Sequence, residues 1–281
     1  MGGSTSESIT GGRVAVTTTQ FAPEWLALRE SADAQARSAE LLEPLHAALT
    51  EGELVIRDLG CGTGSMGRWL VGRLPMPQHW ILTDRDPALL ARAAASLPAP
   101  ATAVTDERDL TLLTAADLTG TSLVTGSALL DLLTAEEVMG LAAACVGAGC
   151  PALLALSVLG RVSLDPVDDL DVALEAEFNA HQRRTVGERR LLGPDAATLA
   201  RQAFEGLGAQ VHTRPSTWRL GAEHAALTAQ WLQGRVSAAC EQNPSLTREA
   251  MDYLRRRLDQ CLSGELRVTV EHEDLLALPP R

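Results

Sequence analysis

The sequence predicts an α/β fold, a mainly parallel sheet of seven strands with helices on both faces and helical lid insertions. The first observation is that short apolar runs alternate with longer amphipathic runs over most of the chain, which is the pattern of successive βα units. The second is that hydrophobic residues make up 46% of the 281 residues, a share that supplies a sizeable buried core. The chain is therefore expected to be globular.

The first 50 residues carry two different patterns. Residues 1–20 are rich in Gly, Ser and Thr and are expected to form a flexible tail, because such a composition buries little surface. Residues 21–281 are expected to form a single domain. This domain begins with a helical pattern over 21–50, which Pro44 is expected to break into two short helices.

Seven short apolar runs predict strands, and the longer runs between them predict helices. The strands are predicted at residues 53–58, 79–84, 101–105, 121–126, 152–158, 209–213 and 266–271. The helices are predicted at residues 63–74, 87–97, 134–147 and 194–207. The last two strands alternate strongly between polar and apolar residues, which makes them candidates for an antiparallel edge of the sheet.

Two stretches are too long to be simple connections between a strand and a helix. Residues 159–193 are first acidic and then basic, and residues 221–263 contain two helical patterns. Long insertions in α/β domains commonly serve as lids or binding elements. Both are therefore expected to contribute to a pocket for a substrate.

The charge of the chain excludes several classes of partner. Lys+Arg number 24 against 36 Asp+Glu, a formal net charge of −12, and such a field repels phosphate backbones and anionic lipid. Nucleic acid and membrane surfaces are therefore not expected as partners. The sequence contains no lysine, which excludes a Schiff-base lysine and the lysine of a phosphate-binding loop.

The cysteines indicate neither a disulfide framework nor a zinc site, because there are five of them and none forms a CxxC pair. The acidic group Asp165, Asp168, Asp169 and Asp171 lacks the glycine and closing glutamate of a calcium loop, so no metal is expected. No apolar run approaches the roughly 18 residues that span a bilayer, and no signal peptide is evident. A cytoplasmic location is expected.

A glycine-rich turn after the first predicted strand is the strongest local signal. Gly60, Gly62 and Gly64 follow the apolar segment 54–57 and precede a helical pattern. Glycines are needed where a turn uses positive φ and where a ligand approaches the backbone. With Gly67 the turn also satisfies GxGxxG, the fingerprint of dinucleotide binding, so a nicotinamide cofactor is an alternative.

Two carboxylates favour a different ligand. Asp58 directly precedes the glycines, where an anion repels a pyrophosphate but attracts an ammonium or sulfonium group. Asp84 ends the next predicted strand, where a carboxylate can accept the hydroxyls of a ribose. Asp84 is compatible with the ribose of a nicotinamide cofactor and with that of a ligand carrying an ammonium or sulfonium group. Asp58 favours the second kind of ligand.

Over residues 50–160, the hydrophobic strand, the acid and the GxGxG turn resemble the class I S-adenosylmethionine-dependent methyltransferases. The resemblance implies a Rossmann-like fold in which residues 51–158 bind S-adenosyl-L-methionine and the product is S-adenosyl-L-homocysteine. It implies that the glycines line the methionine half of the cofactor, that Asp58 lies near its amino group and that Asp84 binds the ribose. The other residues it places beside the cofactor are Cys61, Arg85, Leu110, Gly126 and Ser127.

The family also uses an acid after the third strand to bind the adenine amine. Asp106 and Asp109 both remain candidates for this role, and Asp109 is preferred. Arg29, Asp33 and Arg37 recur every four residues on one predicted helical face. They are either a surface row of ion pairs or the source of an arginine, with Arg37 the candidate, that holds the cofactor carboxylate.

The first insertion supplies the candidate general base. His181 lies among the hydrogen-bonding residues Asn179 and Gln182, so it is a candidate base for an acceptor that must lose a proton, and a structural histidine is the alternative. Asn179 and Gln182, with Trp218 beside the second insertion, are candidates for contacting the acceptor.

These features predict a methyltransferase that transfers a methyl group to an oxygen or nitrogen of a small-molecule acceptor. A non-catalytic S-adenosylmethionine-binding protein is the first alternative. An NAD(P)-dependent oxidoreductase is the second. The sequence does not predict the identity of the acceptor or the oligomeric state.

Overall fold

The computed structural model describes residues 22–280. The predicted tail over residues 1–20 lies outside the described residues. Within residues 22–280, no helix is long and apolar enough to cross a bilayer.

The helices alternate with the strands along most of the chain, as the sequence predicts. They are α1 Pro23–Ala36, α2 Leu42–Ala48, α3 Ser65–Leu70, α4 Pro87–Ser96, α5 Ala135–Gly147, α6 Asp171–Gln182, α7 Ala196–Gly206, α8 Ala225–Gln242 and α9 Thr247–Leu262. The strands are β1 Leu54–Leu59, β2 Gln78–Asp84, β3 Thr102–Glu107, β4 Leu123–Ser127, β5 Ala152–Asp165, β6 Thr185–Val186, β7 Arg189–Arg190, β8 Gln210–Pro215, β9 Trp218–Leu220 and β10 Arg267–Leu278.

Capping residues mark the first turn of two of the helices that follow parallel strands. Asp86 caps α4 by accepting hydrogen bonds from the backbone N–H groups of Ala88 and Leu89, and Pro87 occupies the first helical position. Thr134 and Glu137 form a capping box at the start of α5. These caps fix where each helix leaves the end of its strand.

The main sheet has the strand order β3-β2-β1-β4-β5-β10-β8, and β9 pairs with β10 beside β8. The first five strands are parallel, and β10 runs antiparallel to β5, β8 and β9. The α/β class and the mainly parallel sheet are therefore confirmed. The sheet has eight strands instead of the predicted seven, because Trp218–Leu220 forms a short strand of its own.

The sheet is covered on both faces. Along β10, Leu275 and Ala277 belong to one buried apolar cluster, which also contains Phe204 of α7. Leu276, between them, belongs to a second cluster that includes Leu70 of α3. Because side chains alternate across a strand, the two clusters lie on opposite faces.

The N-terminal helical pattern does divide into two helices, but Pro44 does not divide it. The chain leaves α1 at Arg37, whose ψ of 131° is extended. Pro44 lies in the first turn of α2, where a missing backbone N–H breaks no helical hydrogen bond.

The first of the two long insertions begins later than predicted. β5 continues to Asp165, seven residues beyond its predicted end at 158, because Arg267–Val270 of β10 pairs with it there. The remainder of the first insertion forms α6 and the small hairpin β6-β7. The second insertion forms α8 and α9, and they pack against α6 around the buried residues Leu174, Val236 and Tyr253.

Candidate active site

A cavity of about 520 Å³ opens at the carboxyl ends of the parallel strands. The turns after β1, β2 and β4 form its floor, α1 lines one side, and the hairpin β6-β7 lines another. Ligand sites in open α/β sheets form at this edge. The cavity is within the size range of small-molecule and cofactor sites.

The glycine turn forms the floor with a backbone that requires glycine. Gly60 and Gly62 have φ of +60° and +54°, in the left-handed region, and both line the cavity. A Cβ on Gly62 would lie 3.2 Å from Cδ1 of Leu26 on α1. Gly64 caps α3 with φ of +86° and does not line the cavity.

Asp84 holds this turn in place from the neighbouring strand. Its Oδ2 accepts a hydrogen bond from the backbone N–H of Gly62 at 2.9 Å, and its Oδ1 accepts one from the N–H of Asp86 at 3.0 Å. Each carboxylate oxygen can accept a further hydrogen bond. The side chain therefore fixes the loop and still presents acceptors to the cavity, which Asp84, Arg85 and Asp86 all line.

Asp58 is a buried carboxylate with one free oxygen. Its Oδ1 accepts a hydrogen bond from the Thr125 hydroxyl at 2.7 Å, but its Oδ2 has no partner among the described residues. Burial raises the pKa of Asp58 to about 6, because a charge loses its hydration in the interior. Asp58 lines the cavity, so a cationic ligand there would satisfy the free oxygen.

Neither of the two acids proposed for the adenine amine lines the cavity. Asp106 accepts from the guanidinium of Arg57 at 2.6 Å and from that of Arg108 at 3.0 Å. Asp109 caps the short turn after β3 by accepting from the backbone N–H and the hydroxyl of Thr111. Leu110, one residue further on, does line the cavity.

The end of β4 forms the middle of the floor. Ser127 lines the cavity, whereas Gly126 lies beneath it, where a Cβ would approach Leu129 to 3.2 Å and Leu154 to 3.4 Å. Ala128 also lines the cavity, and its φ of +51° is strained for a residue with a Cβ. Strained backbone of this kind concentrates at functional sites.

The row Arg29, Asp33 and Arg37 is not on the surface. Arg29 and Asp33 form a two-bond ion pair of 2.9 and 3.1 Å and line the cavity. Arg37 is buried and lies outside the cavity lining; its guanidinium donates to the hydroxyls of Ser65 at 3.1 Å and Ser127 at 3.0 Å. Arg37 therefore ties α1 to the turns after β1 and β4.

The residues predicted to serve the acceptor lie elsewhere. None of His181, Asn179, Gln182 and Trp218 lines the cavity. His181 Nε2 is 3.2 Å from a carboxylate oxygen of Glu241 on α8, and Asn179 Nδ2 donates to the Gly160 carbonyl at 2.7 Å. Trp218 is buried and donates from Nε1 to Asp33 at 3.0 Å.

Sequence reasoning missed several cavity residues that come from α1 and the hairpin β6-β7. The spacing of Leu26 and Arg29 on one helical face was the available signal for α1. The hairpin contributes Val186 and Arg189, and its strands are too short for a periodic pattern. No residue of the second insertion, 221–263, lines the cavity among the described residues, so its expected contribution to a substrate pocket stays a prediction.

Side chains suited to a metal ion do not cluster anywhere in the part of the chain that the structure describes. Cys61 lines the cavity as a free thiol. Burial, together with the charges of Asp58 and Asp84, raises the pKa of this thiol far above its usual range. Cys61 is therefore a neutral apolar contact instead of a nucleophile.

No protein-family model and no curated protein matches the chain. Solved structures resemble it at low identity. The cyclopropane synthase MmaA2 from Mycobacterium tuberculosis is 13% identical, with a TM-score of 0.46 over 85% of this chain and 83% of its own. A phosphoethanolamine N-methyltransferase from Haemonchus contortus, in complex with S-adenosyl-L-methionine, is 12% identical, with a TM-score of 0.45 over 97% of this chain and 61% of its own.

A third similar structure is an S-adenosylmethionine-dependent methyltransferase from Geobacter sulfurreducens in complex with S-adenosyl-L-homocysteine. It is 17% identical, with a TM-score of 0.40 over 92% of this chain and 99% of its own.

Proposed function

We propose that the chain is an S-adenosyl-L-methionine-dependent methyltransferase that methylates an oxygen or nitrogen atom of a small-molecule acceptor. The observation that carries the proposal is the pair of carboxylates at the ends of adjacent strands. Within residues 22–280, Asp58 offers a buried oxygen that has no hydrogen-bond partner. Asp84 lies at the end of the adjacent strand β2 and accepts from Gly62 in the glycine turn.

The residues present fit three parts of the cofactor: the cationic part, the ribose and the adenine ring. Asp58 would face the cationic part, because an unpaired buried carboxylate is stabilised by a positive charge. Asp84 would accept from the ribose hydroxyls while it keeps its bond to Gly62. Leu89 and Leu110 give the cavity an apolar wall beyond Asp84, suited to the flat adenine ring.

S-adenosyl-L-methionine, when bound, supplies a methyl group that is attached to its sulfonium sulfur. Once the acceptor has taken the methyl group, the remaining thioether leaves as S-adenosyl-L-homocysteine. The chain contributes alignment and exclusion of water. Leu26 and Val186 close two sides of the cavity with apolar surface, and Ser127 lies at the floor between them. Alignment of this kind requires no fixed catalytic residue.

The structure gives His181 no contact with the cavity, so it is not proposed as a base here. An acceptor that is neutral and nucleophilic, or one that loses its proton to water, needs none. The acceptor is proposed to be small because the cavity is enclosed by α1 and the hairpin. The net charge of −12 also disfavours a nucleic acid as the acceptor.

Two alternatives remain distinguishable. An NAD(P)-dependent oxidoreductase would place a pyrophosphate against the glycine turn, where the buried charge of Asp58 is repulsive. A non-catalytic binding protein would hold the same cofactor and transfer nothing. Incubation of the protein with a cell extract and labelled S-adenosyl-L-methionine separates the enzyme from the binding protein by the appearance of a labelled small molecule.

The test of the cofactor is calorimetry with S-adenosyl-L-homocysteine, S-adenosyl-L-methionine and NAD. We expect both adenosyl compounds to bind at micromolar or tighter Kd and NAD to be silent. Asp84→Ala should weaken binding by about 1–3 kcal/mol, since the ribose hydroxyls lose a charged acceptor. The exposed Asp169→Ala is the control and should bind like the parent. Binding of NAD alone would overturn the proposal.

A further inference from the structure

The charge of the cavity changes from one part to another. The floor carries the carboxylates Asp58 and Asp84, whereas α1 and the hairpin bring arginines to the walls. In a chain with a net charge of −12, arginines that line a cavity are a local departure from the overall field. Each of them must be balanced, because a guanidinium that loses water needs a compensating anion.

Two of these arginines are already balanced. Arg29 makes its two-bond pair with Asp33. Arg189 makes a two-bond pair with Glu137, at 2.8 and 2.7 Å. Their forks are occupied, so neither presents a free pair of N–H groups to a ligand. Arg85 is exposed, and bulk water compensates its charge.

Arg184 is the exception. It lines the cavity and is partly buried. Within the described part of the chain, the hydrogen-bond partners of its guanidinium are the carbonyl oxygen of His181 at 3.2 Å and the ring Nδ1 of the same residue at 3.4 Å. Among residues 22–280 it forms no ion pair with a carboxylate. Asp131 interacts with it electrostatically but does not pair with it.

Backbone hydrogen bonds hold the segment that carries Arg184 against the turn after β4. Its backbone carbonyl accepts from the N–H of Leu191, which closes the base of the hairpin, and Leu192 is bonded in turn to the carbonyl of Leu133 after β4. The methionine half of the cofactor would instead meet α1, since Leu26 approaches Gly62. Arg184 therefore belongs to the β4 side of the cavity, where an acceptor would enter.

We infer that this side of the cavity is an anion subsite and that the methyl acceptor carries a carboxylate, which forms a charge-assisted pair with Arg184. This inference rests on the proposed function, because it concerns the second substrate of the same cavity. Val186 and Leu191 line the same cavity and add apolar surface to it. The subsite therefore suits a carboxylate attached to an apolar or aromatic body.

The test compares molecules of the same shape that differ in charge. Benzoate is compared with benzamide, and hexanoate with hexanamide, by ligand-observed NMR titration of the protein with and without saturating S-adenosyl-L-homocysteine. We expect at least one carboxylate to bind about tenfold more tightly than its amide. In Arg184→Gln this preference should fall below about threefold, while the affinity for S-adenosyl-L-homocysteine stays unchanged.

Arg183→Gln is the matched control, because the neighbouring Arg183 pairs with Asp195 at 2.6 Å, outside the cavity. It should keep the preference for carboxylates. The inference is overturned if neither carboxylate is preferred, if the preference survives in Arg184→Gln, or if that variant loses affinity for S-adenosyl-L-homocysteine, since Arg184 would then hold the cofactor. Failure of the parent protein to bind S-adenosyl-L-homocysteine, with the carboxylate preference intact, would contradict the proposed function alone.

Discussion

Asp84 and Gly62 are joined by a hydrogen bond of 2.9 Å from the glycine N–H to the carboxylate. The bond couples the end of β2 to the turn after β1, so the residue proposed to bind ribose also holds the loop proposed to bind methionine. A displacement of Asp84 by the ligand would therefore also displace the glycine turn, and a displacement of the turn would also displace Asp84. The two halves of the cofactor site are therefore a single rigid unit, and damage to either is expected to weaken both.

The first prediction concerns the glycine turn. Gly62→Ala should reduce the affinity for S-adenosyl-L-homocysteine at least tenfold, because the new Cβ meets Leu26 at 3.2 Å and the residue keeps a φ of +54°. Backbone strain at positive φ should also lower the free energy of unfolding by about 1–2 kcal/mol. Calorimetry and denaturant unfolding measure the two effects.

Gly149→Ala is the control for that prediction. Its φ is +64°, and nothing lies within 4 Å of its added Cβ, so it should show the same loss of stability with unchanged affinity. Equal affinity of both variants for S-adenosyl-L-homocysteine would show that the ligand does not approach Gly62.

The second prediction concerns pH. Burial raises the pKa of Asp58 to about 6, so the carboxylate is charged above that pH and becomes neutral as the pH falls through it. The affinity for S-adenosyl-L-homocysteine, whose amino group is cationic, should be constant near pH 8 and fall by up to about tenfold per unit below pH 6. Calorimetry from pH 5 to pH 8 measures this limb.

In Asp58→Asn, the decrease in affinity below pH 6 should disappear, and the affinity for S-adenosyl-L-homocysteine should be lower than the parent's at every pH. The amide still accepts from the Thr125 hydroxyl, so the local structure is preserved while the charge is removed. An unchanged acidic limb in this variant would assign the titration to another group.

The third prediction concerns a buried carboxylate behind the site. Asp274 on β10 accepts from the backbone N–H of Leu156 at 2.7 Å and from that of Ser38 at 2.8 Å, and Leu156 has a φ of +57°. Asp274→Ala leaves two backbone donors unpaired and should lower the free energy of unfolding by about 2–4 kcal/mol. Thermal and denaturant unfolding measure it.

Glu271→Ala is the control on the same strand. Glu271 forms an ion pair with Arg161 on the surface, where both side chains are exposed, and such pairs contribute about 0–1 kcal/mol. If Asp274→Ala were no more destabilising than this control, the role of Asp274 as a support for α1 and β5 would be wrong.

The fourth prediction concerns His181. Because its ring contacts Glu241 and does not line the cavity, His181→Ala should keep the affinity for S-adenosyl-L-homocysteine within about twofold of the parent's value at each pH from 5 to 8, including the decrease below pH 6 that is assigned to Asp58. It should lower the free energy of unfolding by about 1 kcal/mol. Glu241→Ala should have a similar effect, and the double variant should show coupling between the two. A pH profile of affinity in His181→Ala that differs from the parent's profile would place this histidine in the site.

The order of helices and strands was predictable because its signals are local. The apolar segment before Gly60 and the aspartate-proline pair before α4 each act within a few residues. The carboxyl end of β5 was not predictable in the same way, since its last residues pair with Arg267–Val270, a hundred residues later in the chain. The length of β5 is therefore set by its pairing with β10.

The candidate site likewise contains residues that local sequence patterns predict and residues whose position depends on distant parts of the chain. Asp58, Gly62 and Asp84 follow directly from the strand–turn–helix pattern and do line the cavity. Arg184 and Val186 belong to a hairpin of two-residue strands, and their position depends on where α6 and the turn after β4 meet. For His181, the polar neighbourhood in sequence gave no information about which way the helix faces, and its ring contacts Glu241 instead of lining the cavity.

The position of β10 between β5 and the edge strand β8 sets an order of events during synthesis. Among residues 22–280, β10 is the one strand that pairs with β8, yet the ribosome completes β8 before residues 216–266 and β10 exist. Until then, β5 has an open edge and β8 has no strand to join, so both are exposed to pairing with other chains. The nascent chain therefore passes through a stage in which it already carries the glycine turn and the strand ends of the cavity floor, while the edge of the sheet that β10 will cover is still open.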